Sequence, residues 1–247
     1  MISDTKVVAI GGGTGLSTML KGLKLHTHNI TAVVTVADDG GSSGILRSDL
    51  GMLAPGDVRN CVSALAEVDP VMGELLNFRF KDGSLKGHSL GNLFLAALNE
   101  TSSSFDEAVK KFSHLTGVVG TVYPVTNESV TLSALLEDGR LIEGESHIGV
   151  HHDGPKNGIV KLMVNPEKPK AVDGVIMALE KADIIVLGPG SLYTSIIPNL
   201  LVDGVVDAIK KSNAVKIYVC NIMSQAGETE NYTVSDHLAA IERHSYE

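Results

Sequence analysis

Close to the start of the chain, the apolar run Val7-Val8-Ala9-Ile10 leads directly into Gly11-Gly12-Gly13-Thr14-Gly15. Apolar residues then return at helical spacing over residues 15–25. A buried strand, a glycine turn and an amphipathic helix form the repeating unit of a parallel α/β sheet. Glycine turns at strand ends leave backbone N–H groups unpaired, which suits phosphate oxygens. The stretch therefore predicts both an α/β fold and an anion-binding turn after the first strand.

Two further glycine-rich stretches follow apolar runs. Ile184-Ile185-Val186-Leu187 leads into Gly188-Pro189-Gly190-Ser191, and the run 30–37 leads into Asp38-Asp39-Gly40-Gly41-Ser42-Ser43-Gly44. Residues 30–37 are apolar on both faces, which is typical of a central parallel strand. We expect the glycine turns to meet in one cleft that holds a phosphorylated or nucleotide-like molecule.

The remaining sequence alternates helices and strands except in its middle. There, residues 129–136 and 141–148 predict a β-hairpin with Asp138-Gly139 as its turn, and residues 159–164 predict one more strand. The predicted fold class is α/β, with a Rossmann-like, doubly wound, mainly parallel sheet and a small antiparallel hairpin insertion. Helical periodicity is found over 58–67, 71–78, 89–99, 105–115, 171–181, 202–211 and 235–243.

We assign residues 1–247 to a single Rossmann-like domain with the hairpin insertion at about 121–165. No shift in composition marks a linker, and no internal repeat is present. The chain ends soon after the helix predicted over 235–243, which is typical of a truncated C-terminus.

Composition limits the classes of function. The 247-residue chain is 43% apolar and carries a net charge of −9, which argues against a nucleic-acid-binding surface, since such a surface normally needs a basic face. No window approaches the ~20 apolar residues of a membrane-spanning helix. Cys61 and Cys220 are too few and too isolated for a disulfide framework or a zinc site. We predict a cytoplasmic protein that binds neither nucleic acid nor membrane, and we leave open whether it forms a homo-oligomer.

The first glycine turn matches a dinucleotide-binding fingerprint only in part. Gly11 and Gly13 supply its first two glycines, but Leu16 stands where the third is expected. Asp38 stands at the end of the second strand, where an acid could hold a ribose. We favour phosphate or nucleotide contact at residues 12–15. The alternative is that these glycines serve only the packing of strand against helix.

The adjacent carboxylates Asp38 and Asp39 follow the second predicted strand. Ligands of α/β sheets bind at the carboxyl ends of the strands. The two acids could therefore hold a sugar hydroxyl, or a Mg²⁺ ion that bridges phosphates. The alternative is an Asx-turn loop with solvated acids. We assign no certain metal site or cofactor, and Mg²⁺ at this pair is the candidate.

Two predicted helix starts carry polar side chains. Asp57 follows Pro55-Gly56 and has the position of an N-cap, which is also its purely structural interpretation. Arg59 in the same turn opposes the helix dipole, and an anionic ligand would resolve that conflict. His88 and Asn92 flank the start of the next helix. A structural role is the alternative for the histidine.

Hydroxyl groups follow the third glycine turn. Ser191 and Thr194, together with free backbone amides, would form a phosphate cradle. The lysine of a Walker loop is missing, so NTP hydrolysis of that kind is not supported. We assign no catalytic residue. The candidate ligand-binding residues are Gly12, Gly13, Thr14, Gly15, Asp38, Asp39, Gly40, Gly41, Ser42, Ser43, Asp57, Arg59, Asn60, His88, Asn92, Gly188, Gly190, Ser191, Thr194 and Asn221.

Several of these motifs resemble those of the bacterial gluconeogenesis factor family, within the CofD-like superfamily that includes 2-phospho-L-lactate transferase. The matching blocks are spread over nearly the whole chain. They are Val36-Ala37-Asp38-Asp39-Gly40-Gly41-Ser42-Ser43-Gly44, Pro55-Gly56-Asp57-Val58-Arg59-Asn60, Gly87-His88-Ser89-Leu90-Gly91-Asn92, Gly188-Pro189-Gly190-Ser191-Leu192-Tyr193-Thr194-Ser195, Pro198-Asn199-Leu200-Leu201-Val202 and Gln225-Ala226-Gly227-Glu228-Thr229.

The resemblance implies a Rossmann-like fold and a UDP-sugar ligand such as UDP-N-acetylglucosamine. It also implies a role in cell shape and cell-wall synthesis during growth on gluconeogenic carbon sources, and it attaches no firm reaction to this branch. Two departures stand out: Ser224 replaces the threonine that usually precedes Gln225, and relatives usually extend beyond Glu247.

Three functions stay open at the level of sequence. The first is a UDP-sugar-binding regulator without turnover. The second is a phospholactate-type transferase that uses a nucleotide-activated donor with Mg²⁺, and the lack of an evident nucleophile–base pair weighs against it. The third is a dinucleotide-dependent oxidoreductase, which the glycine spacing disfavours.

Overall fold

The fold is that of a computed structural model, which describes residues 3–149 and 158–245. It confirms the predicted α/β class, with a five-stranded parallel sheet and a three-stranded antiparallel sheet. The strands are β1 (Val7–Gly11), β2 (Ile30–Val34), β3 (Thr121–Pro124), β4 (Thr131–Leu136), β5 (Leu141–Glu143), β6 (Ile159–Asn165), β7 (Ile184–Leu187) and β8 (Val215–Tyr218).

Helices connect the strands of the large sheet and pack on it. α3 lies against α1, β2 and β3, and α5 and α6 pack together. The helices are α1 (Thr14–Leu23), α2 (Gly41–Leu50), α3 (Gly56–Leu65), α4 (Pro70–Asn77), α5 (Leu90–Glu100), α6 (Phe105–Leu115), α7 (Glu145–Ile148), α8 (Asp173–Glu180), α9 (Ile197–Leu200), α10 (Val205–Lys211) and α11 (Val234–Ser245), with a π-helical turn at Leu192–Ile196 before α9.

The order of strands in the large sheet places its topological switch point between β1 and β7. The order is β3-β2-β1-β7-β8, and every neighbouring pair is parallel. The chain builds outward from β1 through β2 to β3 and then returns to the other side of β1. In such sheets a crevice opens at the carboxyl ends of the two strands where the direction reverses. The glycine turns after β1 and β7 lie at that edge, as expected.

The small sheet has the order β5-β4-β6 and packs on the parallel domain through buried polar contacts. The ring of Tyr193, in the π-helical turn, is fully buried, and its hydroxyl donates to the carbonyl of Ile159 at 3.3 Å. His244 of α11 accepts a hydrogen bond from the backbone N–H of Leu162 at 2.9 Å. These contacts hold β6 against the helices that follow β7.

Several element boundaries differ from the sequence prediction. β2 ends at Val34 instead of residue 37. The second hairpin strand, predicted over 141–148, ends at Glu143 because Gly144 has φ +94° and the short helix α7 follows. Residues 121–165, predicted as the insertion, contribute β3 to the parallel sheet and the rest of their described strands to the small sheet. Residues 150–157 of that stretch lie outside the described residues.

Residues 41–44, where the sequence predicts no helix, form the start of α2, and Gly40 is its N-cap residue. None of the helices in residues 3–149 and 158–245 combines the length and apolar character needed to cross a bilayer.

Asp39 joins the two sheets, because its carboxylate holds the first turn of α7. Its oxygens accept hydrogen bonds from the backbone N–H groups of Glu145 at 3.0 Å and Ser146 at 2.8 Å. Hydrogen bonds to a half-buried carboxylate are worth more than neutral ones. Asp39→Ala should therefore lower the free energy of unfolding by about 1–3 kcal/mol.

Urea denaturation of the wild type, of Asp39→Ala and of Asp49→Ala would measure this. Asp49 is an exposed acid at the far end of α2, and its loss should change the free energy of unfolding by less than about 0.5 kcal/mol. Equal stability of the two variants would contradict a structural role for Asp39.

Candidate functional site

A polar cleft of about 260 Å³ opens at the switch point between β1 and β7. The turn after β1 forms one wall, the turn after β7 forms the opposite wall, and carboxylates close the remaining side. No lysine, arginine or histidine is among its described lining residues. The lining residues are Gly12, Gly13, Thr14, Gly15, Asp38, Asp57, Glu145, Pro189, Gly190, Ser191 and Ser195.

The glycines of the first turn are required because other groups approach the backbone closely. A β-carbon at Gly13 would overlap the carboxylate of Asp57, and one at Gly12 would lie 2.6 Å from Ser195 Oγ. A β-carbon at Gly15 would lie 2.6 Å from the carbonyl oxygen of Pro189, which belongs to the opposite turn. Both the packing interpretation and the ligand interpretation of these glycines are compatible with this geometry, since the bare turn also forms a cleft wall.

Three carboxylates, those of Asp38, Asp57 and Glu145, line the same cleft. Burial, followed by the charge of Asp38, raises the pKa of Asp57 to about 7, although the backbone N–H of Gly13 and the charge of Arg59 favour its ionised form. Burial also raises the pKa of Glu145 to about 8, and the charges of Asp38 and Asp57 add to this effect. Near neutral pH, Asp57 and Glu145 therefore retain protons, because burial and the neighbouring carboxylates disfavour their charged forms.

Sequence reasoning missed Glu145. It lies in α7, which belongs to the insertion and is more than a hundred residues from Asp38 in sequence. The predicted hairpin gave the residue no special position, so no local signal could identify it. Its place in the cleft depends on the contact between Asp39 and the start of α7.

The two adjacent acids predicted as a pair have different surroundings. Asp38 lines the cleft, and its carboxylate accepts a hydrogen bond from the backbone N–H of Gly40 at 2.9 Å, which is the Asx-turn geometry of the alternative interpretation. Asp39 points to α7 instead. Within the described residues, no group of three His, Cys, Asp or Glu side chains is arranged to hold a metal ion.

Arg59 lies beside the cleft, and its guanidinium group is directed away from the glycine turns. Only 7% of the residue is exposed. Nη1 donates to Asn77 Oδ1 at 2.8 Å and Nε donates to Asn92 Oδ1 at 3.3 Å. Burial and the nearby Arg79 lower the pKa of Arg59, whereas Asp57 acts in the opposite direction. Among the described residues its hydrogen-bond partners are amides, with no carboxylate within salt-bridge distance.

The glycine turn after β7 and the residues that follow it are held by polar side chains that come after β8 in sequence. Asn221 donates to the carbonyl oxygen of Gly190 at 2.9 Å, which holds the turn. Thr194 donates to the buried carboxylate of Glu228 at 2.9 Å, so its hydroxyl is turned away from the cleft. Ser195, which sequence reasoning did not select, lines the cleft in its place.

The structure thus brings part of the predicted set into one cleft and places the rest around it. The predicted residues that line the cleft are Gly12, Gly13, Thr14, Gly15, Asp38, Asp57, Gly190 and Ser191. Those that lie outside its lining are Asp39, Gly40, Gly41, Ser42, Ser43, Arg59, Asn60, His88, Asn92, Gly188, Thr194 and Asn221.

Fold and cleft together define a Rossmann-like α/β protein with a glycine-walled, acidic cleft at its switch point. The model of the family described as 2-phospho-L-lactate transferase CofD matches residues 7–247, and the chain belongs to this CofD family. The protein named gluconeogenesis factor from Bacillus subtilis is 47% identical over 242 residues, which are 97% of this chain and 74% of that protein. The predicted resemblance to gluconeogenesis factors is thereby confirmed.

A relative from Clostridium acetobutylicum is 54% identical over 99% of this chain, and the chain spans about half of that relative, 54% of its length. The crystal structure of a UPF0052 family member from Bacillus halodurans superposes with a TM-score of 0.94 at 47% identity. That match covers 99% of this chain and 78% of the Bacillus halodurans chain. The fold described above is therefore shared with a solved member of the family.

Gly13→Ala tests the close approach of the first turn to α3. The new β-carbon would displace the carboxylate of Asp57, so we expect the free energy of unfolding to fall by about 1–3 kcal/mol. Gly22→Ala is the matched control. Gly22 lies near the end of α1, the helix that begins directly after Gly13, and a β-carbon there meets nothing within 4 Å. The control should be neutral or stabilising by up to about 1 kcal/mol. Chemical denaturation of both variants would decide, and two equal changes would be the contrary result.

The raised pKa values of Asp57 and Glu145 predict how stability depends on pH. A carboxyl group with a raised pKa binds more protons in the folded state than in the unfolded state, so stability falls as pH rises. For Asp57 the fall should extend from its unfolded pKa up to about 7, and for Glu145 up to about 8. Urea midpoints measured from pH 5 to 9 should show this slope in the wild type. Asp57→Asn and Glu145→Gln should each flatten it, and an unchanged slope in both variants would refute the assignment.

Proposed function

We propose that this protein binds a UDP-sugar of the UDP-N-acetylglucosamine type in the switch-point cleft. The observation that carries the proposal is the pair of glycine turns facing each other at the ends of β1 and β7. α1 begins at the first turn without a side-chain cap, so the amides of its first turn suit phosphate oxygens. The diphosphate would lie between the two turns. The identity of the base and of the sugar rests on the family resemblance.

The carboxylates of the cleft require a cation if a diphosphate is to bind. Asp38, Asp57 and Glu145 face the same space, and none of the described residues that line it is basic. Mg²⁺ takes one or two carboxylates together with phosphate oxygens and keeps several waters, which suits this oxygen-rich cleft. Asp38 and Asp57 would hold the ion, with Glu145 beside them. The ion would neutralise charge between carboxylates and phosphates, and Asp39 would take no part because it holds α7.

The biological role that we propose is support of cell shape and cell-wall synthesis during growth on gluconeogenic carbon sources, in the cytoplasm. The resemblance to gluconeogenesis factors and the similarity to the Bacillus subtilis protein of that name support it. Binding of a precursor of the cell wall without turnover would suit a regulator that responds to the supply of that precursor.

A second candidate function is transfer of a phosphoryl-linked group from a nucleotide-activated donor, the class of activity in the family's name. One feature of the cleft favours it: burial raises the pKa of Asp57 to about 7 and that of Glu145 to about 8, the range in which a carboxyl group can exchange protons at neutral pH. The dinucleotide-dependent oxidoreductase gains no support, because Leu16, at the third glycine position, is fully buried in the core.

Calorimetric titration tests the proposed ligand. The wild type should bind UDP-N-acetylglucosamine in the presence of Mg²⁺ more tightly than GDP or NAD. Gly15→Ala would place a β-carbon between the two turns, so affinity should fall at least about tenfold, or about 1.4 kcal/mol. Gly22→Ala should bind like the wild type.

The cation is tested by the conservative change Asp38→Asn. Its amide oxygen can still accept the hydrogen bond from Gly40, so the loop should stay folded while the charge is lost. We expect this variant to lose most of the Mg²⁺ dependence of binding. Failure of the wild type to bind any of the three ligands, with or without Mg²⁺, would overturn the proposed function.

A further inference from the structure

A second cavity, of about 330 Å³, opens at the amino ends of β1, β2 and β3, and the first residue of each of these strands lines it. This edge of the parallel sheet is opposite to the edge that carries the glycine turns. Two lysines and a histidine, Lys6, Lys181 and His28, are among the lining residues, and none of the described lining residues is acidic. The charge of this cavity is therefore opposite to that of the switch-point cleft, which is lined by carboxylates.

One wall of the cavity is a row of side chains that crosses three strands. In the register of the sheet, Val8 is beside Thr31, and Thr31 is beside Thr121. Neighbouring residues of adjacent parallel strands direct their side chains to the same face, and all three residues line the cavity. The two threonine hydroxyls therefore lie on one wall, next to the apolar side chain of Val8.

The opposite wall is the end of α8, and close packing at the start of that helix fixes its position. A β-carbon at Gly174 would overlap the ring of Tyr123, which lies two residues after Thr121 and so points to the same face of the sheet. Further along α8, Ala178 contributes only a methyl group to the lining, and Lys181 follows as the C-cap residue. The small side chain of Ala178 leaves room between the end of the helix and the threonines.

The polar groups of these lining residues have no partners within the described part of the chain. The hydroxyls of Thr31 and Thr121, which are both half-buried, form no hydrogen bond with residues 3–149 or 158–245. Lys6 and Lys181 take part in no ion pair there. The carboxylate of Asp183 accepts a hydrogen bond from the backbone N–H of Lys6 at 2.8 Å, and not from its ammonium group. Two hydroxyls and two ammonium groups are therefore available to one ligand.

These groups match a phosphate better than a carboxylate. The two ammonium groups supply two positive charges, and a phosphomonoester carries about −1.5 to −2 near neutral pH. Lysine binds phosphate as a point charge, so the planar fork of an arginine is not required. Threonine hydroxyls can donate to the remaining phosphate oxygens. The volume is near the lower end of the about 300–1,000 Å³ that is usual for ligand pockets, which favours a small organic part.

We propose that this cavity is a binding site for a small organic phosphomonoester. The phosphate contacts the two lysines and the two threonine hydroxyls, and the organic part lies against Val8 and Ala178. No metal ion is needed, because the phosphate meets ammonium groups and not carboxylates. The site is separate from the switch-point cleft, and it does not depend on the function proposed for that cleft.

Amide NMR spectra recorded during titration with glycerol 3-phosphate, in the absence of Mg²⁺, would locate the bound molecule. The signals of Thr31 and Thr121 should shift. The signals of Gly13 and Gly15 should not, because the carboxylates of the cleft repel a phosphate when no cation is present. Glycerate, in which a carboxylate replaces the phosphate, should bind more weakly. Affinity for glycerol 3-phosphate should fall as sodium chloride is added, since salt screens exposed lysines.

Two variants test the named contacts. Lys181→Gln removes one charge, and Thr121→Val removes one hydroxyl while it keeps the β-branched shape of the side chain. Each should lower the affinity for glycerol 3-phosphate by at least about threefold. Lys21→Gln is the matched control, because Lys21 is exposed on α1 and does not line the cavity, so this variant should bind like the wild type.

Three results would each overturn this inference. They are unmoved signals of Thr31 and Thr121, shifts confined to Gly13 and Gly15, and equal affinity of the wild type and both cavity variants. Equal binding of glycerate and glycerol 3-phosphate would overturn the assignment of a phosphate. None of these results bears on the binding of UDP-N-acetylglucosamine with Mg²⁺ in the cleft, so the proposed function is tested separately.

Discussion

The first turn has no room for a β-carbon at Gly12, Gly13 or Gly15, and the arrangement of the site depends on this constraint. Gly12 and Gly13 let Ser195 and Asp57 approach the end of β1, and Gly15 lets the carbonyl of Pro189 do the same from the opposite turn. Three elements that are far apart in sequence thus meet within a few ångströms. Since the strands β1 and β7 are adjacent and parallel, the packing that fixes their order also brings their turns together. The cleft is therefore a direct product of the strand order.

The first turn of α3 divides the surroundings of the cleft by charge. Asp57 faces the glycine turns and joins two other carboxylates, whereas Arg59, two residues later, turns toward α4 and α5 and bonds only amides among the described residues. A residue pair at this spacing points to different sides of a helix. The acidic side suits a cation together with the phosphates that it would bind. Arg59 acts on both sides, since its charge also favours ionised Asp57.

The sequence was sufficient to predict what local pattern controls, namely the alternation of strands and helices, the glycine turns after β1 and β7, and the acid that follows β2. It was insufficient wherever a distant contact decides the local structure. Residues 41–44 have the composition of a loop, yet they begin a helix whose residue Leu46 packs into the core. Glu145 and Ser195 line the cleft because of tertiary packing. Thr194 does not line it, because its hydroxyl donates a hydrogen bond to Glu228, which is more than thirty residues away in sequence. Nothing in the spacing of these residues indicates those partners.

The separation of Asp38 from Asp39 shows how the antiparallel insertion becomes part of the site. Asp39 does not line the cleft, because its carboxylate accepts hydrogen bonds from the amides at the start of α7. This contact positions another acid, Glu145, in the cleft. One of the three carboxylates that line the cleft therefore comes from α7, which follows strand β5 of the small sheet. Because burial and then the charges of neighbouring carboxylates raise the pKa of Glu145, the attachment of the small sheet and the charge of the cleft are linked. A cation bound between Asp38 and Asp57 would remove this repulsion, and it would stabilise the contact between the two sheets as well as the bound ligand.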